Sequence, residues 1–272
     1  MDRPDLVASD VDGTLLDPVE RVTPRTARVI GRVLGSDVPF VLVSGRPPRW
    51  IPAVAKAAGL TGYAVCANGA TVYDIGADRV ISSTDLDPVL LHDAADALRR
   101  VLPESRLAAE RVAEGLAPFV TEPGFRNPWG TPDGELDEET NDVPVAEVLG
   151  HPAVKLLVRH GKLTSQQMAE AAADVLSGAG LEITYSTNRG LIELSAVGVT
   201  KASGLAEVCD LLSVRRERVV AFGDMPNDLP MLRWVGHGVA MANAHDDVLA
   251  AADEVTAPNA EDGVAQVLER WF

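Results

Sequence analysis

Cysteines, positive charges and long apolar runs are all scarce in this chain of 272 residues. Its two cysteines, Cys66 and Cys209, have no partner at metal-ligand spacing, which argues against a zinc cluster and predicts buried thiols in a reducing cytoplasm. Lys and Arg total 24 against 40 Asp and Glu, and the formal net charge of −16 disfavours binding to nucleic acid or anionic membranes. No apolar stretch is long enough to span a bilayer, and residues 1–5 form no signal segment. We therefore expect a cytoplasmic globular protein.

What the sequence does contain is an alternation of short apolar runs and helical stretches. The first third reads strand, helix, strand, helix, strand, an order that predicts parallel strands joined by right-handed crossovers. Thr23 and Pro24 mark the start of the first helix as its cap and first-turn residue. The predicted strands are 6–8, 39–43, 63–66, 154–158, 181–185, 191–194, 219–222 and 238–241, and the predicted helices are 26–34, 52–58, 87–102, 165–176, 201–212, 228–233 and 261–272.

The pattern changes near residue 83 and resumes near residue 194. Between these points strands and helices follow an α+β order, and residues 122–142 are rich in Gly, Pro and acids, which indicates loop or edge structure. The sequence therefore predicts an α/β fold. A doubly wound parallel-sheet core, residues 1–83 and 194–272, would carry an inserted α+β domain, residues 84–193.

Polar residues follow apolar runs or open helices at four places in the predicted core. Parallel α/β sheets bind ligands beyond the carboxyl ends of their strands, so such residues can converge on one site. Each place is weak evidence alone, because acidic turns, Ser-Gly turns and solvated lysines are common. The four places are Asp10 with Asp12, Ser44-Gly45-Arg46, Lys201, and residues 223–228.

The carboxylates at these places suit phosphoryl transfer. Asp10 can attack phosphorus through a carboxylate oxygen, and Asp12 can protonate the leaving oxygen and then activate water. Asp224, Asp10 and the backbone carbonyl of Asp12 offer the hard oxygen ligands that Mg²⁺ prefers. A cation is needed because a carboxylate nucleophile and a dianionic ester repel one another.

The remaining polar residues suit phosphate binding. The Ser44 hydroxyl and the backbone N–H groups of Gly45 and Arg46 can donate hydrogen bonds to phosphoryl oxygens, and Lys201 adds a positive charge. The sequence thus predicts a site for a small phosphorylated metabolite.

Four stretches resemble, in order, the four motifs of the haloacid dehalogenase superfamily of phosphatases: Asp-Val-Asp-Gly-Thr-Leu at 10–15, Val-Ser-Gly-Arg at 43–46, Lys201, and Gly-Asp-Met-Pro-Asn-Asp at 223–228. The insert resembles, in position and rough size, the type 2 cap of the Cof-like branch. Asn68-Gly69-Ala70 and residues 261–264 are also similar to that branch. The resemblance covers roughly residues 5–83 and 190–270 and implies a doubly wound core with a cap that sets substrate specificity.

The resemblance implies roles for the carboxylates. Asp10 would be the nucleophile that forms an aspartyl-phosphate, and Asp12 the general acid and base. Asp224 would bind Mg²⁺ together with Asp10 and the carbonyl of Asp12, and Asp228 would support the metal site or Lys201. Asp12 stands where transport ATPases of the superfamily carry Thr, which favours hydrolysis.

The resemblance also implies residues that contact the phosphate or the rest of the substrate. Ser44, Gly45 and Lys201 would bind the transferring phosphoryl group, and Asn227 would orient the phosphate or a metal-bound water. The candidate substrate contacts are Arg46, Asn68 and Gly69, although Asn68-Gly69 also makes an ordinary turn.

Three functions are compatible with these residues. The leading one is a Mg²⁺-dependent phosphatase of a small sugar or polyol phosphate, and the alternatives are a phosphotransferase resembling phosphomannomutases and a catalytically silent phosphometabolite-binding regulator. The pairing of a nucleophile with a proton donor argues against the regulator. In the insert, Lys155 and Glu193 are expected to be salt-bridged or solvated rather than to contact substrate, while Trp129 suits either the mouth of the site or burial. The sequence indicates no oligomeric state.

Overall fold

The structure of the chain, a computed structural model, describes residues 2–126 and 141–272. Trp129 and the acidic stretch 133–140 lie outside the described residues. The chain divides into two compact units. Unit 1 comprises Met1–Ser82 and Val199–Phe272, and unit 2 comprises Ser83–Gly198.

The described residues form short strands and helices in the following order along the chain. The strands are β1 (Leu6–Ser9), β2 (Phe40–Val43), β3 (Tyr63–Cys66), β4 (Thr71–Asp74), β5 (Arg79–Ser83), β6 (Arg106–Glu110), β7 (Phe119–Thr121), β8 (Lys155–Arg159), β9 (Leu181–Thr184), β10 (Leu191–Ala196), β11 (Val219–Gly223), β12 (His237–Ala240) and β13 (Glu254–Val255). The helices are α1 (Pro24–Leu34), α2 (Ile51–Ala58), α3 (Pro88–Val101), α4 (Val145–Val148), α5 (Ser165–Val175), α6 (Lys201–Leu212), α7 (Leu229–Trp234), α8 (Asp246–Ala251) and α9 (Gly263–Leu268). Tight turns with non-helical residues inside them lie at Val11–Leu15 and Ala67–Gly69, and single helical turns lie at Pro48–Trp50, Arg216–Arg218, Pro226–Asp228 and Asn259–Glu261.

Unit 1 is built on a sheet in the order β13-β12-β11-β1-β2-β3-β4-β5. The strands from β13 to β3 run parallel, and β4 turns back antiparallel to β3. The helix α1 begins as expected, with the Thr23 side chain accepting a hydrogen bond from the Thr26 N–H and with Pro24 in the first turn.

Helices cover both faces of the unit 1 sheet. Side chains of alternate residues point to opposite faces of a strand. Val7, Phe40 and Leu42 pack with α1, α2 and α9, whereas Ala8 and Val41 pack on the other face with α6, α7 and α8. This arrangement confirms the predicted doubly wound α/β fold.

Unit 2 contains an antiparallel sheet in the order β7-β6-β8-β10-β9. The helices α3 and α5 pack on one face of it through a buried apolar cluster. Lys155 and Glu193 form a buried ion pair on adjacent strands, and the Ser186 hydroxyl donates to the same glutamate (2.7 Å). A salt bridge is one of the two expected states of these residues, the other being solvation.

The structure differs from the expected elements in three respects. The expected boundary after residue 193 falls inside β10, and unit 2 continues to Gly198 because β10 stays paired with β9 as far as Ala196. The strands β4 to β7 and β13 and the helices α4 and α8 were not predicted. The expected terminal helix 261–272 is shorter, since the backbone of Asp262 is left-handed and α9 ends at Leu268. None of the described helices is long and apolar enough to cross a membrane.

Candidate active site

The strand register brings the expected residues to one edge of the unit 1 sheet. The last residue of β1 pairs with Phe222 of β11 and with Leu42 of β2. Asp10 comes next, while Asp224 and Ser44 come two positions after those partners. The side chains of all three are at least nine-tenths buried. The carboxyl ends of neighbouring parallel strands thus converge as the sequence indicated.

Lys201 joins two of the buried carboxylates. Its side chain is 0% exposed, and its Nζ lies 2.7 Å from Asp10 Oδ1 and 2.6 Å from Asp228 Oδ1. Burial lowers the pKa of Lys201, but the two carboxylates more than offset this effect, so its pKa lies above the usual value. The ammonium group is therefore charged and fixed between Asp10 and Asp228.

The start of α6 fixes the position of Lys201. The Thr200 side chain caps the helix by accepting a hydrogen bond from the Ser203 N–H (3.2 Å). Gly69 lies directly against this turn, with φ of +106°, and a Cβ atom there would stand 1.9 Å from the Thr200 carbonyl oxygen. Gly69, a candidate substrate contact, is packed against the helix start, where only glycine allows so close an approach.

Asp228 organises the loop that follows β11. Its Oδ2 accepts hydrogen bonds from the backbone N–H groups of Asp224 and Met225, both at 2.9 Å, while its Oδ1 accepts from Lys201. Both carboxylate oxygens are thus occupied by protein donors. Asp228 thus holds Lys201 and the loop in place.

The turn after Asp10 packs tightly against Asp224. Gly13 has φ of +76°, and a Cβ atom there would lie 2.3 Å from Asp224 Oδ2. The Thr14 hydroxyl donates to Asp224 Oδ1 (2.7 Å), although the two residues are 210 positions apart. The Asn243 amide donates to the Gly13 carbonyl oxygen (2.9 Å) and holds the turn from the other side.

Asp10, Asp224 and Asp228 form a buried acidic cluster, with one carboxylate oxygen of each within 4.8 Å of the others. When ionised, the three carboxylates and the ammonium of Lys201 leave an excess of two negative charges. Burial is the main cause that raises the pKa of Asp10 well above its usual value and the pKa of Asp224 to about 7, and neighbouring carboxylates add to it. A divalent cation would relieve this excess, and its ligands would be Asp10 and Asp224, because both oxygens of Asp228 are occupied. The donor set therefore fits Mg²⁺.

Asp12 is the exposed carboxylate of the site. Its side chain is 52% exposed, whereas that of Arg46 is 19% exposed. Arg46 Nε lies 2.9 Å from Asp12 Oδ2, and its Nη2 lies 2.6 Å from Oδ1, so the two groups form a bidentate pair. Arg46 was expected to contact substrate, but its guanidinium is paired with Asp12.

Ser44, Asn68 and Asn227 line the buried side of the site. The Ser44 hydroxyl accepts from the Arg46 N–H (3.1 Å), and the Asn68 N–H donates to the Ser44 carbonyl (3.0 Å). The Asn227 amide nitrogen donates to Asn68 Oδ1 (3.1 Å), and Asn227 Oδ1 is buried without a hydrogen-bond partner among the described residues. An unpaired buried acceptor is a site for a cation or its water ligand.

The structure thus brings the expected residues together in three groups: Asp10 with Lys201, Asp224 and Asp228; Asp12 with Arg46; and Ser44 with Asn68 and Asn227. Sequence reasoning missed Thr14, Asn243 and Asn259, the last of which donates to the Leu16 carbonyl (2.8 Å). Thr14 lies inside the first motif, so it could have been identified from the sequence. Asn243 lies in a loop and Asn259 begins a single helical turn, and nothing local marks either residue.

A sequence model of the haloacid dehalogenase-like hydrolase family matches residues 7–268 of the chain. The chain is 32% identical to 5-amino-6-(5-phospho-D-ribitylamino)uracil phosphatase YitU of Bacillus subtilis (strain 168), with 99% of this chain and 98% of that protein aligned. It is 27% identical to pyridoxal phosphate phosphatase YbhA of Escherichia coli (strain K12), with 97% of each aligned. Among solved structures, it resembles the haloacid dehalogenase subclass IIB sugar phosphatase BT4131, with a TM-score of 0.80, 23% identity and 98% of both chains covered. The similarity to this solved structure, at 23% identity, shows the fold alone.

Proposed function

The chain belongs to the haloacid dehalogenase-like hydrolase family and is a phosphatase of its Cof-like branch, and we propose that it hydrolyses a small phosphorylated metabolite with Mg²⁺ through a phosphoryl group on Asp10. The observation that carries this proposal is the pairing of buried Asp10 with Lys201 at 2.7 Å beside the Asp224 carboxylate. A buried carboxylate held by a fixed ammonium group is oriented for attack on phosphorus.

Asp10 is the nucleophile in this proposal. Lys201 binds its Oδ1, and its Oδ2 would be the oxygen that attacks the entering phosphoryl group. Attack by this oxygen forms the bond between Asp10 and phosphorus and breaks the bond between phosphorus and the ester oxygen. The charge on Lys201 favours the ionised carboxylate that attack requires.

Mg²⁺ would be held by the carboxylates of Asp10 and Asp224 and by the backbone carbonyl of Asp12. When bound, it reduces the repulsion between the carboxylate nucleophile and the anionic ester. The Oδ1 of Asn227, which has no hydrogen-bond partner among the described residues, would accept a hydrogen bond from a water of that cation, and this favours a role for Asn227 beside the cation rather than the phosphate.

Asp12 is the proton carrier. It gives a proton to the departing ester oxygen, and as a carboxylate it then takes a proton from the water that attacks the phosphoryl-Asp10 group. Ser44 accepts from the Arg46 N–H, which leaves its hydroxyl proton for a phosphoryl oxygen, and the Gly45 N–H donates beside it.

The substrate we propose is a phosphate ester of a primary alcohol on a small metabolite such as a sugar or polyol. The relatives support this class by their names, since one acts on a phosphoribityl compound and another on pyridoxal phosphate. We assign the choice among such esters to unit 2, the expected insert. The retention of both Asp10 and Asp12 favours hydrolysis over the silent regulator.

The test is release of inorganic phosphate from sugar, polyol and nucleotide phosphates, with Mg²⁺ and with a chelator. We expect Mg²⁺-dependent release that Asp10→Asn abolishes and that Asp93→Asn, an exposed aspartate in α3, leaves intact. Transfer of phosphate between esters without release would support the mutase alternative instead. Binding of the esters without any turnover would support the regulator.

A further inference from the structure

The bidentate pair of Arg46 and Asp12 is a structural feature that phosphate binding alone does not explain. Two parallel hydrogen bonds, of 2.9 and 2.6 Å, occupy both oxygens of the Asp12 carboxylate. The fork shape of guanidinium matches a carboxylate in distance and in plane, which a lysine cannot do.

The position of the Asp12 carboxylate depends on such a partner. Its carboxylate is half exposed, and its backbone lies in the turn after β1, where φ is −83° and ψ is 125°. An exposed carboxylate on a turn rotates among several side-chain conformations. A proton donor acts efficiently only when its oxygen stays within hydrogen-bond distance of the group it protonates.

Arg46, by contrast, is firmly anchored. Its backbone N–H donates to the Ser44 hydroxyl (3.1 Å), and its carbonyl oxygen accepts from the Ala67 N–H (2.9 Å). These bonds tie Arg46 to the ends of β2 and β3, the same rigid edge that carries the site. Because Arg46 is anchored at the strand ends, its guanidinium holds the Asp12 carboxylate in a fixed position relative to the sheet.

We propose that Arg46 is a positioning residue: its guanidinium keeps hold of one oxygen of Asp12 while the other oxygen is released to carry the proton that Asp12 exchanges with the leaving-group oxygen. This inference rests on the proposed function. It replaces the expected contact of Arg46 with substrate by a role that acts through Asp12. Esters whose alcohol is a poor leaving group need this proton, so their hydrolysis should depend on Arg46 most. The phenolate of an aryl ester departs without a proton, so hydrolysis of an aryl ester should depend on Arg46 less.

The experiment compares kcat/KM for an alkyl phosphate and for p-nitrophenyl phosphate, because kcat/KM reports the transfer of phosphate to Asp10 alone. We expect Arg46→Met to lower kcat/KM for the alkyl ester by roughly 100-fold and for the aryl ester by less than about 10-fold, the pattern of losing general-acid catalysis. Asp12→Asn should show the same dependence on the leaving group. Arg46→Lys keeps the charge but lacks the fork, so it should retain most of the defect.

Arg21→Met is the matched control, because this arginine is largely exposed and pairs with Asp17 instead. It should leave both esters unaffected, and added guanidinium should partly restore the alkyl activity of Arg46→Met. Equal losses on both esters would overturn the proposal and assign Arg46 to substrate binding, as would full activity of Arg46→Lys on the alkyl ester. If the wild type and Asp10→Asn hydrolyse both esters equally, the proposed function fails and this inference fails with it.

Discussion

Replacing Lys201 by Met removes the buried charge that holds the acidic cluster together. Methionine has a similar length and no charge, so the change leaves Asp10 and Asp228 buried without the ammonium group that lies 2.7 and 2.6 Å from them. Removing one partner of a buried pair costs about 3–5 kcal/mol in free energy of unfolding. For a protein of this size the thermal midpoint should fall by roughly 10 °C.

The pH dependence of this loss gives a second check. The raised pKa of Lys201 means that its stabilisation is present below its unfolded value of 10.5 and is lost only as the pH rises through the folded value. The wild-type lysine therefore stays charged between about pH 5 and pH 8. In Lys201→Met the unpaired carboxylates can take up a proton as the pH falls, so the deficit in stability should shrink on acidification.

The assay is urea unfolding of wild type and variant at several pH values in the presence of a chelator. Lys56→Met is the matched control, since Lys56 is an exposed lysine of α2 and should cost little. Adding Asp228→Asn to Lys201→Met should recover part of the loss, because it removes one of the stranded carboxylates. A Lys201→Met protein as stable as Lys56→Met, or a deficit that does not change with pH, would refute the reasoning.

Two further predictions concern the packing and titration of the same site. Gly69→Ala places a Cβ atom 1.9 Å from a backbone carbonyl oxygen at the start of α6, whereas at Gly59, where φ is +71°, a Cβ atom would meet open space. Chemical denaturation should therefore show a loss in free energy of unfolding of roughly 3 kcal/mol for Gly69→Ala and of about 1 kcal/mol for Gly59→Ala. Equal losses would contradict the close packing of Gly69 against α6. In metal-free protein the pKa of Asp224, raised from 3.8 to about 7, means that its stabilisation is present below 3.8 and is lost as the pH rises to about 7. Asp224→Asn should therefore be more stable than wild type by up to about 4 kcal/mol near pH 8, with a difference that closes toward about pH 4; a difference that widens on acidification would contradict this sign.

Most of the unit 1 sheet and the main site residues could be predicted because the signal is local. Each buried parallel strand is a short continuous apolar run, and a polar residue directly after such a run lies at the carboxyl edge of the sheet. This local pattern alone predicts that Asp10, Ser44 and Asp224 lie at one edge of the sheet. It could not give the order of the strands or the register that aligns them.

The missed elements lack that local signal. The strand β5 is largely exposed and reads Arg-Val-Ile-Ser-Ser, and β7 has three residues. Short or exposed edge strands gain their structure from pairing with neighbours rather than from their own apolar pattern. The end of unit 2 was misplaced for the same reason, since only pairing with β9 shows that β10 continues to Ala196.

The side-chain pairs within the site were beyond sequence reasoning. The bonds from Thr14 to Asp224 and from Asn227 to Asn68 join residues 210 and 159 positions apart. Such pairs depend on how loops fold over the strand ends, which no periodicity records. They also include contacts of two candidate substrate-binding residues, since Gly69 packs against α6 and Arg46 binds Asp12.

The measurement that tests the central claim most directly is mass spectrometry of the Asp12→Ala protein after incubation with p-nitrophenyl phosphate and Mg²⁺. Without Asp12, an aryl ester can still transfer its phosphate to Asp10, but no base activates the water that removes it. The account predicts one phosphoryl group on the peptide that contains Asp10, and no adduct when Asp10→Asn is added. A phosphoryl group on any other residue, or no adduct in a variant whose wild type turns over the ester, would contradict the assignment of Asp10 as the nucleophile.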